Sequence, residues 1–107
     1  MVVNQYARKL IEKTKNLPTQ IVKIKIFKNN LKRCIWSGKL SPYKIFYNPI
    51  KNKYFYYHLK KILDADLKYP IICKKLSGRI LILDGYHRLA KAYYLNKDKE
   101  IKVKWMN

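Results

Sequence analysis

Ile80-Leu81-Ile82-Leu83-Asp84-Gly85-Tyr86-His87-Arg88-Leu89-Ala90-Lys91-Ala92 reads as an apolar strand that turns tightly into a helix. Gly85 permits the bend, and Asp84 is placed to cap the helix by accepting from an amide two or three residues on. The first amides of a helix have no partner inside it, and the helix dipole adds partial positive charge at that end, where His87 and Arg88 fall. A junction of this kind suits a phosphate group. The same residues also describe a capped helix that carries two surface cations.

Before the motif, Tyr69-Pro70 leads into a strand over Ile71 to Leu76, Ser77-Gly78 is a turn, and Arg79 to Leu83 completes a hairpin. Beyond the motif helix, Gly85 to Leu95, a loop over Asn96 to Lys99 precedes a strand over Glu100 to Met106. Its Ile101, Val103 and Trp105 share one face, with Lys102 and Lys104 opposite. Upstream, Asn52 to Asp64 suits a helix because Phe55, Leu59, Ile62 and Leu63 recur at helical spacing. Lys39 to Pro49 is expected to be mostly loop, since Pro42 and Pro49 limit regular structure. Gln20 to Lys28 alternates, with Val22, Ile24 and Ile26 on one side, and predicts a half-exposed strand. Asn29-Asn30 predicts a turn and Leu31 to Trp36 a strand pairing back. Asn4 to Asn16 predicts a helix with Asn4 as a cap and Leu17-Pro18 as its end. No repeat, low-complexity linker or internal boundary is visible, so residues 1–107 form one α+β domain with a mixed sheet.

The order Asp66-Leu67-Lys68-Tyr69-Pro70-Ile71-Ile72, Ser77-Gly78-Arg79, Asp84-Gly85-Tyr86-His87-Arg88-Leu89 and Ile101-Lys102-Val103 resembles the ParB/sulfiredoxin superfamily, in particular its small ParB-like proteins. The likeness covers roughly half of the chain, about residues 58–106. It implies a ParB/sulfiredoxin-like fold and a nucleotide (ATP, ADP or CTP, with or without Mg²⁺) held at Asp84, Gly85, Tyr86, His87 and Arg88. In ParB proteins the matching segment grips the triphosphate of CTP. Tyr86 stands where their acidic residue would be, so the resemblance does not carry ParB-type hydrolysis to this chain. Sulfiredoxins place a catalytic cysteine at the position of Tyr86, which removes that chemistry as well. ADP-dependent free-serine kinases of the same fold use a similar Asp-Gly-His-His-Arg-like segment together with an upstream carboxylate base. Before Asp64 the only acidic residue here is Glu12.

Charge narrows the class of partner. The chain has 25 Lys and Arg against 6 Asp and Glu, a formal net charge of +19, and residues 1–63 hold 15 of those cations against one carboxylate. A phosphate-rich partner, DNA or RNA, is the inference from such a field. Most of the cations are lysine, which gives generic attraction, whereas base reading favours arginine; an AT-biased genome would also enrich Lys, Ile, Asn and Tyr. Tyr43 to Lys61 interleaves tyrosines and phenylalanines with lysines, the composition of grooves that stack bases. The competing reading, preferred from the helical spacing of Phe55, assigns Phe46, Phe55 and one or two tyrosines to the core and the lysines to a solvated face.

No transmembrane or export segment is visible, and the expected location is cytoplasmic, with no membrane partner. Cys34 and Cys73 form no zinc pattern and are expected as free, partly buried thiols. Asp64 and Asp66 could hold Mg²⁺ beside a phosphate, although such residues more often end a helix and order the next turn. For chemistry, His87 is the one side chain near the motif with ordinary titration close to neutrality, and Arg88 would steady a transferred phosphoryl group; these two are the catalytic candidates. His58, a lone histidine on a helix, is the weaker candidate. Three classes follow: a nucleotide-binding ParB-like domain acting with nucleic acid, a small phosphotransferase or nuclease using the same pocket, and a non-enzymatic basic nucleic-acid-binding protein.

Overall fold

Ile101 and Val103 alternate with Lys102 and Lys104 along the last strand, and that alternation decides which face of the sheet carries the core. In a computed structural model, which describes residues 5–36 and 38–106, Glu100–Met106 is the strand β4, with Ile101 and Val103 buried and Lys102 exposed. It lies inside a four-stranded sheet with β1 (Gln20–Lys23), β2 (Ile71–Leu76) and β3 (Arg79–Asp84) in the order β1-β4-β2-β3. The β2–β3 pair is the expected hairpin, turned at Ser77 and Gly78, both at positive φ. β4 is antiparallel to β1 but parallel to β2, pairing Ile71 with Val103 and Cys73 with Trp105. A parallel neighbour cannot be reached by a tight turn, so the chain crosses over between β3 and β4. The crossover is α5 (Tyr86–Ala90), which runs on through a π-helical turn at Lys91–Leu95.

The remaining helices cover the faces. α4 (Lys53–Asp64) buries Phe55 and Ile62 and is capped by Asn52, whose Oδ1 accepts from the amides of Tyr54 and Phe55. Its other end is closed by the Lys91 ammonium, which donates to the Leu63 and Ala65 carbonyls at 2.8 Å and places positive charge on the negative end of the dipole. Fully buried Ile71, Val103 and Leu89 join Phe27, Leu31 and Ile62 in one core, each side chain worth roughly 1.5–3 kcal/mol of burial. On the far side of the sheet, α1 (Gln5–Thr14) is tied down by Lys104, whose Nζ donates to the Thr14 carbonyl at 2.9 Å. Asn4, expected as the cap of this helix, lies outside the described residues.

Four expectations fail. The strand from Gln20 ends at Lys23, a 3₁₀ turn covers Ile24–Phe27 and α2 (Lys28–Leu31) follows, so Asn29-Asn30 is helical rather than a turn. Ile24, Phe27 and Leu31 are spaced as on a helix, and all three are buried, while Ile26 is exposed. Helical spacing therefore wins over the alternation of Val22, Ile24 and Ile26. Leu31 to Trp36 does not pair back as a strand; only Trp36 makes an isolated bridge, to Leu40. Finally, Lys39 to Pro49 is not mostly loop, because Pro42–Tyr47 forms α3: Ser41 caps it by accepting from the Lys44 amide, and Pro42 occupies the first turn. Both cysteines are free as expected, but one is exposed and the other, Cys73, is fully buried, which pushes its thiol up to about 12. No helix among the described residues is long and apolar enough to cross a membrane.

Candidate functional site

Gly85 starts the site. It leaves β3 with φ at +113°, and a Cβ there would lie 2.6 Å from Ile71 Cγ2, so the turn needs a residue without a side chain. Gly85, not Asp84, takes the capping position, and among the described residues no side chain accepts from the first amides of α5. The expected Asp84 cap is thus absent. Asp84 is displaced to the last residue of β3, where its Oδ2 accepts from Arg88 Nη2 at 2.6 Å. With Gly85 at the cap, the Asp84 carboxylate lies before the helix start and pairs with the guanidinium in a charge-assisted bond. Arg88 spends one of its five donors in this way.

His87 has a partner that the sequence did not single out as one. Its Nε2 lies 3.0 Å from Nδ1 of His58 on α4, and one imidazole must donate to the other. The Trp36 indole stacks on both rings, with centroids 4.2 Å from His58 and 4.8 Å from His87 and planes within 10°. Burial pulls the His87 pKa down to about 4, helped by His58, Lys61 and Arg88 and opposed by Asp84. Burial lowers His58 too. At neutral pH both imidazoles are uncharged, so His87 is a hydrogen-bonding group rather than the cation expected at this helix start. His58 thereby moves from weak candidate to a component of the site, and Trp36 joins it.

A cleft of about 580 Å³ opens beside this pair. The motif contributes Asp84, Gly85, His87 and Arg88, while Tyr57, Lys60 and Lys61 come from α4. Asp64, Asp66 and Tyr69 line it from the end of α4 and the connection to β2. Tyr86 is not among the lining residues: its ring packs against the core, so of the five expected ligand-binding positions it can offer only its main chain. The carboxylates are already engaged. Asp64 pairs with Lys60 at 3.1 Å, and Asp66 accepts from the Lys68 amide at 3.0 Å and faces its ammonium at 3.8 Å. That is the helix-ending and turn-ordering role. Among the described residues no group of three His, Cys, Asp or Glu side chains could hold a metal ion. Glu12 pairs with Lys15 and does not line the cleft.

The aromatic segment divides differently from expectation. Phe55 is buried and Phe46 packs against the core, but Tyr43, Tyr47, Tyr54, Tyr56 and Tyr57 are all exposed. Lysines lie over three of the exposed rings: Lys32 over Tyr43, Lys53 over Tyr54 and Lys61 over Tyr57, at 5.6, 5.2 and 5.6 Å from the centroids. The preference for core tyrosines in this segment is thereby corrected. No protein-family model, curated protein or solved structure matches this chain.

Proposed function

We propose that this chain is a ParB-like domain that binds the phosphates of a nucleotide in the cleft between α4 and the start of α5, and that it acts in a nucleic-acid context. One observation carries the reading: the strand-turn-helix motif, read alone as a phosphate site, opens into a cleft that also receives Lys60, Lys61 and two tyrosines. Its volume, about 580 Å³, falls within the range of about 300–1,000 Å³ typical of small-molecule sites. Uncapped amides at Tyr86 and His87, the remaining Arg88 donors and the Lys61 ammonium suit phosphate oxygens. Tyr57 and Tyr69, both exposed, offer faces for a base.

The residues fit a nucleotide better than they fit a resident metal. Asp64 and Asp66 would be the carboxylates beside a Mg²⁺ ion that arrives with the phosphates, the usual manner in which this ion is held. Binding is favoured over phosphoryl transfer because an imidazole with a pKa of about 4 is a weak base at neutral pH, and the cleft carboxylates are paired with cations. Cytoplasmic residence, where nucleotides are abundant and thiols stay reduced, belongs to the same proposal.

A thermal-shift screen with ATP, ADP and CTP, each with Mg²⁺, tests it. Ligand at 100 times its Kd stabilises by about 2.7 kcal/mol, a rise in Tm on the order of 10 °C for a domain of this size. At least one nucleotide is expected to give such a rise, and Arg88→Ala and Lys61→Ala to reduce it. The absence of a rise with every nucleotide would refute the proposal.

A further inference from the structure

α2, α3 and the π-helical turn enclose a second pocket of about 290 Å³ that shares no lining residue with the nucleotide cleft. Its walls are unusual for this chain. Four tyrosines, Tyr43, Tyr47, Tyr93 and Tyr94, face it together with Lys28 and Lys32, and no acidic side chain is among its lining residues. Tyr43 and Tyr47 stand one helical turn apart on α3, with ring centroids at 4.9 Å, and are 39% and 59% exposed. The floor is rigid. Tyr94 is buried, stacked on Phe46 at 4.6 Å and met edge-on by Tyr47 at 5.7 Å. Burial and the neighbouring Tyr93, Tyr47 and Tyr43 raise the pKa of its hydroxyl, so it stays neutral and able to hydrogen-bond at any physiological pH.

We propose that this pocket takes an unpaired base of a single-stranded nucleic acid, stacked on Tyr43 and Tyr47, with the adjoining phosphates on Lys28 and Lys32. Rings alone would suit any apolar guest, and lysines alone any anion. A strand that presents a flat π-face and a phosphate at every residue uses both, and a surface without carboxylates does not repel it. A volume at the lower limit of small-molecule pockets accommodates one base rather than an extended ligand. In a duplex the base faces are stacked on each other and unavailable to tyrosine, which singles out the unpaired strand. The charge of the first 63 residues, 15 cations against one carboxylate, supplies the attraction that brings it there.

Fluorescence anisotropy of the whole chain with labelled dT12, rU12 and a DNA duplex of equal length, at several salt concentrations, tests the proposal. Either single strand, or both, should bind more tightly than the duplex. Each stack lost in Tyr43→Ala/Tyr47→Ala should weaken binding about 5- to 150-fold at fixed salt. Tyr43→Phe/Tyr47→Phe keeps the rings and should retain affinity, which separates stacking from misfolding. Tyr6→Ala, an exposed ring on α1, should change nothing. Lys28→Gln/Lys32→Gln should reduce the slope of log K against log salt by about 1.4, the value for two phosphates of a single strand. Alanine variants within about twofold of the parent, or duplex binding as tight as single-strand binding, would overturn the proposal. Neither result would touch the nucleotide cleft, whose residues are different.

Discussion

Among the chain's three glycines, replacement of Gly85 by alanine should destabilise the fold most. The residue has φ at +113°, and the added Cβ would lie 2.6 Å from Ile71 Cγ2, 2.9 Å from Ile71 Cβ and 3.1 Å from Arg88 Nη2. Ile71 has nowhere to retreat, because it is fully buried on a strand hydrogen-bonded on both sides. A left-handed backbone costs an L-residue about 1–2 kcal/mol and overpacking a core about 1–3 kcal/mol, while the stiffer unfolded chain returns about 0.4–1 kcal/mol. The net loss is about 1–5 kcal/mol, a large share of the 5–15 kcal/mol that is typical of a domain. Gly78 is the control. It has φ at +75° but nothing within 4 Å of an added Cβ, so Gly78→Ala should cost only about 1 kcal/mol. Urea unfolding followed by tryptophan fluorescence measures both. Equal losses in the two variants would refute the steric argument for the motif's turn.

Three further outcomes are expected. Because the His87 pKa is lowered to about 4 from 6.5, the unfolded chain binds more protons between these values, so stability should fall as pH drops below 6.5 and level off below about 4. Since the ring is partly exposed, the size is on the order of 1 kcal/mol; His87→Gln should flatten the slope, and in a Trp105→Phe background Trp36 emission should report a midpoint that rises in His58→Ala. Asn30 is buried and its Nδ2 donates to the Ile80 carbonyl on β3 at 2.8 Å, so Asn30→Ala should cost about 1–3 kcal/mol in urea unfolding. Asp84→Asn should release Arg88 and raise nucleotide affinity several-fold in calorimetric titration; unchanged or weaker affinity would show that the pair does not compete with the ligand.

Much of the fold was legible because its signals are local. β4, the β2–β3 hairpin and α4 follow from alternation, a Ser-Gly turn and the spacing of Phe55, Leu59 and Ile62, and the structure places them there. Ile24 to Leu31 was not, because Val22, Ile24 and Ile26 satisfy a strand's period while Ile24, Phe27 and Leu31 satisfy a helix's; burial of Phe27 decides between them. α3 was hidden by reading Pro42 only as a breaker, when after Ser41 it marks a helix start. Gly85, His87 and Arg88 were legible as a local motif. The stack of Trp36 on His58 and His87 was not, since these residues are distant in sequence and are joined only when α4 packs beside α5. Asp84 shows the limit of local rules: a capping residue by type, it became a salt-bridge partner once Gly85 took the cap.

If main-chain donors at the start of α5 and the Arg88 guanidinium meet the phosphates of one ligand, amide chemical-shift mapping during titration with ATP and CTP, each with Mg²⁺, will register it. The largest movements should fall on Gly85, Tyr86, His87 and Arg88, followed by Lys61, and should saturate. Small, unsaturating shifts spread over lysines across the surface, with those four amides unmoved, would contradict the account.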